Sequence, residues 1–385
     1  MFSKKLPALL LFAGTIPTWV GGQTHPSVEH VVIYHEPGMF GGWPANHGIW
    51  IWGDEILVGF SKGYYKNLGD RHHIDREKPE HHMLARSLDG GRTWSIEDPQ
   101  AKGYLRYVDG GFLHGVPRPD VPFAQLQDPV GGIDFTHPDF ALTVRTTSTG
   151  AGISYFFYSY DRGRTWEGPF RLPNFGAPGI AARTDYIVNG PRDCMLFLTA
   201  AKQNGEEGRP ICVRTPDGGR TWRLVSKIGP EPEEGFSIMP ASVRISDSEI
   251  LVVVRRREGP RRWLAAYLSQ DNGETWTPLD DPVSDTGEGN PPALVKLRDG
   301  RICLIYGYRA KPFSIRAKLS NDNGRTWSHD IVLRDDGGDR DIGYPRVVQR
   351  PDGKVIAVYY FNDPKTGPER YIGATIWDPE LTGEP

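Results

Sequence analysis

The chain has 385 residues and a nearly balanced charge, with 45 lysines and arginines against 48 aspartates and glutamates for a net charge of −3. This balance excludes a protein that wraps nucleic acid through a basic surface. The 46 glycines and 33 prolines exclude a fold of long helices, whereas 38% hydrophobic residues suffice for a large core. The composition therefore predicts an all-β protein of many short strands joined by turns.

Residues 1–23 have the composition of a secretory signal peptide. Lys4 and Lys5 precede an apolar run that two prolines interrupt, and Gly21 and Gly22 follow it. No apolar stretch in the chain approaches the ~18 uninterrupted residues of a membrane helix. We therefore expect a secreted or periplasmic monomer whose mature part, residues 24–385, is a single catalytic domain with neither a membrane nor a nucleic acid as partner.

One octapeptide pattern, S/T-x-D-x-G-x-T-W, occurs five times, at residues 87–94, 159–166, 215–222, 269–276 and 320–327. Successive copies of its aspartate lie 51 to 72 residues apart, which suits one four-stranded sheet per repeat, as in a β-propeller. In each copy we expect the Asp to accept turn amide hydrogens, the Gly to have a positive φ and the Trp to pack under the turn between the third and fourth strands. The boxes are therefore predicted to be structural.

A sixth unit, residues 344–379, has the first three strands of such a sheet but no complete box. Residues 30–34, near the mature N-terminus, are predicted to supply its fourth strand, which closes the ring and leaves no open sheet edge. This makes six blades. Residues 95–135 are rich in Gly and Pro and only weakly periodic, so they form either an insertion over the ring or a seventh, degenerate blade.

The loops opposite the boxes share one face of such a ring, and arginine is abundant in them. Because a guanidinium group matches a carboxylate in a bidentate fork, this excess on an acidic protein indicates an anionic ligand. A solvated, charged rim is the alternative interpretation. The cationic residues predicted on this face are Arg255, Arg256, Arg257, Arg261, Arg262, Arg309, Lys311, Arg340, Arg346 and Arg370.

His47 stands just before the first strand of the first blade, between Trp43 and Trp50. At this position its ring is predicted to face the central funnel, where a histidine can act as general acid or base near neutral pH. A histidine packed against aromatic rings in the interior fits the same sequence.

The position before the first strand recurs in later blades, where Glu288, Asn290, Tyr344 and Arg346 occupy it. Since the blades are radial, these side chains are predicted to converge with His47 on one axis as substrate contacts. Ordinary turn chemistry before a strand is the alternative.

Two histidine pairs, His72 with His73 and His81 with His82, flank a polar segment that we expect to be a mobile loop. Their spacing matches no standard zinc pattern. We therefore predict no metal site and no cofactor.

The five boxes resemble the Asp-box repeats of the sialidase superfamily over nearly the whole mature chain. This resemblance implies the β-propeller fold, on which different functions occur. Sialidases carry a Phe-Arg-Ile-Pro type motif before the first box, which supplies one of three arginines that hold the sialate carboxylate. Nothing before Ser87 matches it, and the closest string, residues 170–173, follows the second box.

The strings YHEPGMFGGWPANHGIWIWGDEILVGF and HHIDREKPEHHMLARSLDGGRTW are similar to those of glycoside hydrolase family 145 and its relatives in polysaccharide lyase family 42. This resemblance implies removal of terminal L-rhamnose linked α-1,4 to D-glucuronic acid on arabinogalactan and gum arabic side chains. It also implies seven blades and one essential histidine, which the W-P-A-N-H-G motif places at His47.

Three functions follow from these patterns. The first is an exo-acting enzyme that cleaves rhamnosyl-glucuronate ends by β-elimination or hydrolysis, with His47 and Tyr344 as catalytic residues. The second is an exo-α-sialidase, and the third is a non-catalytic propeller that binds anionic glycans. The residues predicted to bind the uronic-acid-containing glycan are Trp43, Arg256, Glu288, Asn290, Arg309 and Arg346.

Overall fold

A computed structural model describes residues 28–111 and 113–380, so the predicted signal peptide lies outside the described residues. In this part of the chain six antiparallel sheets form the blades of a β-propeller, and the α-helix is limited to one four-residue turn. No described helix is long and apolar enough to cross a membrane.

The chain enters through a strand of the last blade and then forms the first two blades. The elements in chain order are β1 (Val28–Tyr34), β2 (Met39–Gly42), α1 (Pro44–His47), β3 (Ile49–Trp52), β4 (Glu55–Tyr64), β5 (His81–Ser87), β6 (Ser95–Glu97), β7 (Ala141–Thr146), β8 (Ser154–Ser159) and β9 (Glu167–Arg171). In the first blade the innermost strand is split, since β2 and β3 both pair with β4 on either side of α1. The second blade has only the three strands β7 to β9, because the preceding insertion contributes no innermost strand.

The third and fourth blades follow the same order of strands. They comprise β10 (Ile180–Ala181), β11 (Tyr186–Gly190), β12 (Asp193–Ala201), β13 (Glu207–Thr215), β14 (Arg223–Lys227), β15 (Phe236–Arg244), β16 (Ile250–Glu258), β17 (Arg261–Ser269) and β18 (Thr277–Pro278). The fifth and sixth blades comprise β19 (Ala293–Lys296), β20 (Ile302–Tyr308), β21 (Ser314–Ser320), β22 (Ile331–Arg334), β23 (Gly343–Gln349), β24 (Val355–Asp363) and β25 (Gly367–Trp377).

The ring is closed by its two ends. Strand β1 runs antiparallel to β25 and is the fourth strand of the sixth blade, while β23 and α1 join that blade to the first. The predicted six blades with an N-terminal closing strand are confirmed.

Residues 95–135 do not form a further blade. Beyond β6 the described part of this segment adds no strand to a blade, and it pairs through isolated bridges such as those from Val116 to Pro79 and from Gln127 to Phe170. Leu105 and Val108 are buried in the apolar cluster between the first and second blades. The segment is therefore an insertion packed over the ring, and the seven blades implied by the resemblance are wrong for the described part of this chain.

The boxes have the predicted structure. In the first one, Asp89 accepts hydrogen bonds from the Thr93 amide (2.9 Å) and hydroxyl (2.7 Å), and Gly91 has a φ of 91°. The Trp94 indole donates to the Gly91 carbonyl at 2.9 Å. The bonds to the Asp are local and recur in the other four boxes, whereas the indole bond to the Gly carbonyl recurs in the boxes at 159–166 and 320–327. Each box therefore closes the turn between the third and fourth strands.

Each blade packs against both of its neighbours, because successive residues of a strand point to opposite faces of the sheet. In β16, Val252 and Val254 pack against the third blade, whereas Leu251 and Val253 pack against the fifth. The later side chains of β16 alternate in the same way between the interface with the third blade and the interface with the fifth.

Three innermost strands break at the same kind of dipeptide. Trp43, Met239 and Tyr344 have φ values of 56°, 53° and 48°, and each precedes a proline. Because proline has no amide hydrogen, pairing is interrupted there and the register shifts. The breaks lie at the end of the ring opposite the boxes. There the side chains of Trp43, Met239 and Tyr344 depart from the regular alternation of a strand.

Candidate functional site

Tyr344 lies at the centre of a polar cluster at this end of the ring. Its Oη accepts a hydrogen bond of 3.0 Å from Arg255 Nη1, and the Arg309 guanidinium lies 5.2 Å from the centre of its ring. We define the tyrosine–arginine cluster by its members: His72, Arg255, Arg309, Asp341, Tyr344 and Tyr360. Tyr344 is buried, with 7% of its surface exposed.

Asp341 holds this cluster together. It is 1% exposed, and its Oδ1 accepts hydrogen bonds from His72 Nδ1 (2.5 Å) and from the Tyr360 hydroxyl (2.5 Å). Burial alone would raise the pKa of Asp341, but the imidazole of His72 and the guanidinium groups of Arg370 and Arg309 lower it below its ordinary value. Asp341 is therefore an ionised acceptor for the surrounding donors.

Trp43 and Arg309 support the cluster from below. The Trp43 indole is completely buried, stacks on His114 at a centroid distance of 4.0 Å and meets the His72 ring edge-on at 5.2 Å. Arg309 is committed to the Ile342 carbonyl (2.9 Å) and the Tyr360 hydroxyl (2.5 Å). Both predicted residues therefore contact members of the tyrosine–arginine cluster. Because Trp43 is completely buried and the Arg309 guanidinium is already hydrogen-bonded, they support the other members of the cluster.

A second group of polar residues surrounds His47. His47 is 2% exposed; its Nε2 lies 3.0 Å from the Ser61 hydroxyl, which donates to Glu80 at 2.7 Å. The backbone carbonyl of His47 accepts hydrogen bonds from the hydroxyls of Thr143 (2.9 Å) and Thr184 (2.5 Å). The residue is thus fixed at both its ring and its backbone, while Nδ1 has no partner among the described residues.

Burial controls the charges of this second group. It lowers the pKa of His47 well below its ordinary value, with Arg145 and His82 acting in the same direction. Burial also raises the pKa of Glu80, against the hydrogen bonds that Glu80 accepts. His47 is accordingly a neutral imidazole at neutral pH.

The space beside His47 is small. The His47 cavity, bounded also by Asn46, Glu80, Arg145 and Arg183, has a volume of about 20 Å³. That is enough for one water molecule and too little for a sugar. A wider channel of about 190 Å³ along the axis is lined by Thr184, Asp185, Ser242 and Arg346 together with the inner strands.

Three arginines around the axis lack a carboxylate partner. Arg145, Arg255 and Arg346 form no ion pair within 4.0 Å with any described carboxylate. Arg346 donates to the carbonyls of Ala45 and Thr184, and burial lowers the pKa of both Arg145 and Arg346 to about 10. Arg145 is buried, whereas Arg255 and Arg346 are partly exposed. A cation without a counter-ion is unfavourable where it is buried.

Arg256 is not part of the site, which corrects its predicted position. It points to the opposite side of β16 from Arg255, into a groove between the third and fourth blades. There its Nη1 donates to Tyr267 Oη at 3.1 Å, and its guanidinium lies 5.3 Å from the Trp263 ring centre. Its neighbour Arg255 occupies the place at the axis.

Glu288 and Asn290 take different places from those predicted. Glu288 is exposed on the rim and pairs with Arg340. Asn290 is completely buried, donates to the Ile342 carbonyl at 2.8 Å and accepts from the Tyr344 amide at 3.0 Å. Asn290 therefore positions Tyr344 instead of touching a substrate.

The segment between the two histidine pairs is anchored instead of loose. The Asp75 amide donates to the Tyr64 carbonyl at 2.8 Å, and the Glu80 amide donates to the Val116 carbonyl at 3.1 Å. No group of three or more His, Cys, Asp or Glu side chains within residues 28–111 and 113–380 is arranged to hold a metal ion.

Several site residues escaped the sequence-based prediction. Arg145 stands inside the apolar strand β7, and Arg183 follows the apolar strand β10. Each is followed by a threonine, and a charge beside apolar residues was the available signal. Asp341 lies beside the predicted Tyr344 and Arg346, but nothing in its local sequence indicates its bond to His72.

The sequence of the chain is similar to those of known proteins. The pattern of the BNR repeat-like domain matches residues 140–357. A sialidase from Micromonospora viridifaciens is 24% identical over 319 residues, which are 76% of this chain and 46% of that protein. The chain thus spans about half the length of this curated relative.

Two solved structures share the fold. A protein of unknown function from Dyadobacter fermentans has a TM-score of 0.66 at 21% identity, with 92% of this chain and 99% of that chain covered. The NanB sialidase from Streptococcus pneumoniae has a TM-score of 0.56 at 13% identity, with 91% and 71% covered. At these identities the comparisons show a common β-propeller.

Proposed function

The chain belongs to the BNR repeat-like domain family, and from this premise we propose that it is a carbohydrate-active enzyme that hydrolyses the bond of a terminal acidic sugar. The observation that carries the proposal is Arg255, a guanidinium group without a carboxylate partner whose Nη1 holds the hydroxyl of Tyr344. An acidic sugar would supply the missing counter-ion and place its reactive carbon beside that hydroxyl.

Tyr344 is the proposed nucleophile. Most glycosidases use two carboxylates, whereas sialidases use a tyrosine for this step. A neutral hydroxyl avoids the repulsion that a carboxylate nucleophile would meet from an acidic sugar. The hydrogen bond from Arg255 would stabilise negative charge on Oη as the proton leaves.

A sialic acid is the acidic sugar that the comparisons favour, since the relative that covers 76% of this chain is a sialidase. The site would differ from the three-arginine arrangement, because the chain lacks the expected motif before Ser87. Arg255 would be the principal contact of the sugar carboxylate, with Arg346 the next unpaired cation along the axis.

The rhamnosyl-glucuronate bond is the second candidate, and the free Nδ1 of His47 favours it. A neutral imidazole beside Arg145 and Arg183 could act as the base or acid in elimination or hydrolysis. Since the His47 cavity holds only one water, this function requires the surrounding side chains to move before the glycan binds.

A direct test compares two substrates, a fluorogenic sialoside and a rhamnosyl-glucuronate disaccharide. The first proposal expects release of sialic acid and its loss on Tyr344→Phe, with His47→Gln much less affected. Release of rhamnose that depends on His47 would support the second candidate, and ultraviolet absorbance from an unsaturated uronate would assign it to elimination. If the purified protein only binds these sugars and cleaves neither, the non-catalytic alternative replaces both.

Export from the cell is tested separately, by determining the N-terminal residue of the protein that is recovered outside the cell.

A further inference from the structure

We propose that His72, oriented by Asp341, is the catalytic residue that moves protons in the tyrosine–arginine cluster. This inference rests on the proposed hydrolysis of an acidic sugar and deepens it by naming the proton carrier. Nothing in the local sequence marks His72 for this role, because Asp341 follows it by 269 residues.

The hydrogen bonds of His72 define its chemical form. Its Nδ1 lies 2.5 Å from Asp341 Oδ1, and an ionised carboxylate can only accept, so Nδ1 carries the proton. The other ring nitrogen, Nε2, has no hydrogen-bond partner among the described residues, and the side chain is 24% exposed. An aspartate that fixes the tautomer and leaves Nε2 as a free acceptor is the arrangement of a general base.

His72 is also close to the proposed nucleophile and held firmly. Its ring centre is 5.9 Å from that of Tyr344, with the two rings nearly perpendicular at 81°. Trp43 supports the ring edge-on at 5.2 Å, and the next residue donates its amide to Asp341 Oδ2. The two rings are therefore neighbours, and because Nε2 does not bond to Tyr344 Oη in this arrangement, a proton would pass between them through one water molecule or after a rotation of the imidazole.

The charges that face His72 come from several elements. Asp341 favours its protonated form, whereas Arg309, Arg255 and His114 oppose it, and the hydroxyls of Tyr344 and Tyr360 are neutral neighbours. Burial is the largest influence and lowers the pKa of His72 below its ordinary value of 6.5. The imidazole is thus free to accept a proton at neutral pH.

In the proposed step, His72 Nε2 takes the proton of the Tyr344 hydroxyl while Tyr344 Oη forms a bond to the anomeric carbon of the sugar. The bond from that carbon to the leaving oxygen breaks, and the leaving oxygen keeps the electron pair and receives the proton from His72. Water then repeats the exchange: its oxygen bonds to the carbon, the bond to Tyr344 Oη breaks, and His72 passes the water proton to Tyr344.

Steady-state kinetics test the role of His72 on two sialosides, one with a poor leaving group and one with a good leaving group. We expect His72→Ala and His72→Gln to lower kcat about 100-fold with little change in KM. Both variants should also lose the fall in activity expected of the wild type at acidic pH, where the imidazole of His72 becomes protonated. Asp341→Asn should shift that acidic limb to lower pH, because it removes the carboxylate that favours protonation. The exposed His329 provides a matched control, and His329→Ala should behave as wild type. Unchanged kcat or an unchanged acidic limb in both His72 variants would overturn the inference.

Nuclear magnetic resonance of histidine nitrogens separates this inference from the proposed function. At pH 7.5 the wild type should show His72 protonated at Nδ1 and unprotonated at Nε2, with its Nε2 signal shifting when free N-acetylneuraminic acid or glucuronic acid is added. The opposite tautomer, or no shift with either sugar, would reject the role of His72 whatever substrate is cleaved. Both spectral features in a protein that cleaves no sialoside would leave His72 as the proton carrier and reject the sialoside as substrate.

Discussion

Arg255 and Tyr344 are separated by 89 residues in the chain, yet Arg255 Nη1 donates a hydrogen bond of 3.0 Å to Tyr344 Oη. The first residue lies within the second strand of the fourth blade, and the second stands at the break in the innermost strand of the sixth. Only the closed ring brings these two positions together. The contact therefore connects the architecture directly to the proposed chemistry.

Arg255→Ala should lower kcat/KM for an acidic-sugar substrate about 100-fold, because it removes a donor from the oxygen on which charge develops. Arg256→Ala makes the same change of charge one residue away, but its side chain lies in the groove beside Trp263, and activity should stay near that of the wild type. Steady-state kinetics of the two variants provide the comparison. Equal losses would mean that the general positive field, and not the contact with Tyr344, is what matters.

This pair of arginines also shows what the sequence can and cannot predict. The boxes predict the fold because their hydrogen bonds join residues at most four positions apart, as from Thr93 to Asp89. The arginines at 255–257 are visible in the sequence, but which one reaches the axis depends on the side of β16 that faces the fifth blade. That alternation is set by packing between blades.

The surroundings of His72 also depend on contacts between blades. Its partner Asp341 lies in another blade, and its environment is built from Trp43 and Tyr344, so only the assembled ring defines it. Tyr344 and Trp43 were predicted because they stand before innermost strands, and Arg309 because it lies in a loop on the same face of the ring. The repeat therefore predicts where a residue stands within its blade, but it does not predict which residue of another blade that residue contacts across the ring.

Gly59→Ala should destabilise the protein by about 1–3 kcal/mol, because a Cβ at this position would lie 2.6 Å from the Cβ of His47. His47 cannot easily retreat, since the hydroxyls of Thr143 and Thr184 hold its carbonyl. Gly190→Ala is the control, because a Cβ there meets nothing within 4 Å, and its free energy of unfolding should change by less than about 1 kcal/mol. Urea denaturation measures both. A fully stable Gly59→Ala would show that His47 moves readily, which would favour its participation in binding a sugar.

Asp89→Asn should lower the free energy of unfolding at pH 7 by about 1 kcal/mol, because the amide cannot accept all the hydrogen bonds of the box. The bonds from the Thr93 amide and hydroxyl lower the pKa of Asp89 to about 2. A carboxyl with a lowered pKa stabilises the fold above its unfolded value near ~4 and loses this contribution as the pH falls towards 2. The difference between variant and wild type should therefore shrink between pH 5 and pH 3 in urea denaturation. Asp109→Asn, at an exposed position, is the control and should leave the free energy of unfolding at pH 7 near that of the wild type. A difference that stays constant with pH would mean that the Asp89 charge contributes nothing.

Asp185→Asn should have the opposite dependence on pH. Asp185 lines the axial channel, where Ser242 donates to its Oδ1 at 3.2 Å and its Oδ2 has no partner among the described residues. Burial raises the pKa of Asp185 to about 7, although Arg346 opposes this shift. A carboxyl with a raised pKa is more protonated in the folded state, so the wild type should lose stability as the pH rises from ~4 to 7, by at most about 4 kcal/mol. Asparagine cannot ionise, so the variant should lack that decline and gain on the wild type between pH 5 and pH 8 in urea denaturation. Parallel pH profiles would show that the Asp185 carboxylate is already compensated in the channel, by solvent or by movement of Arg346 towards it.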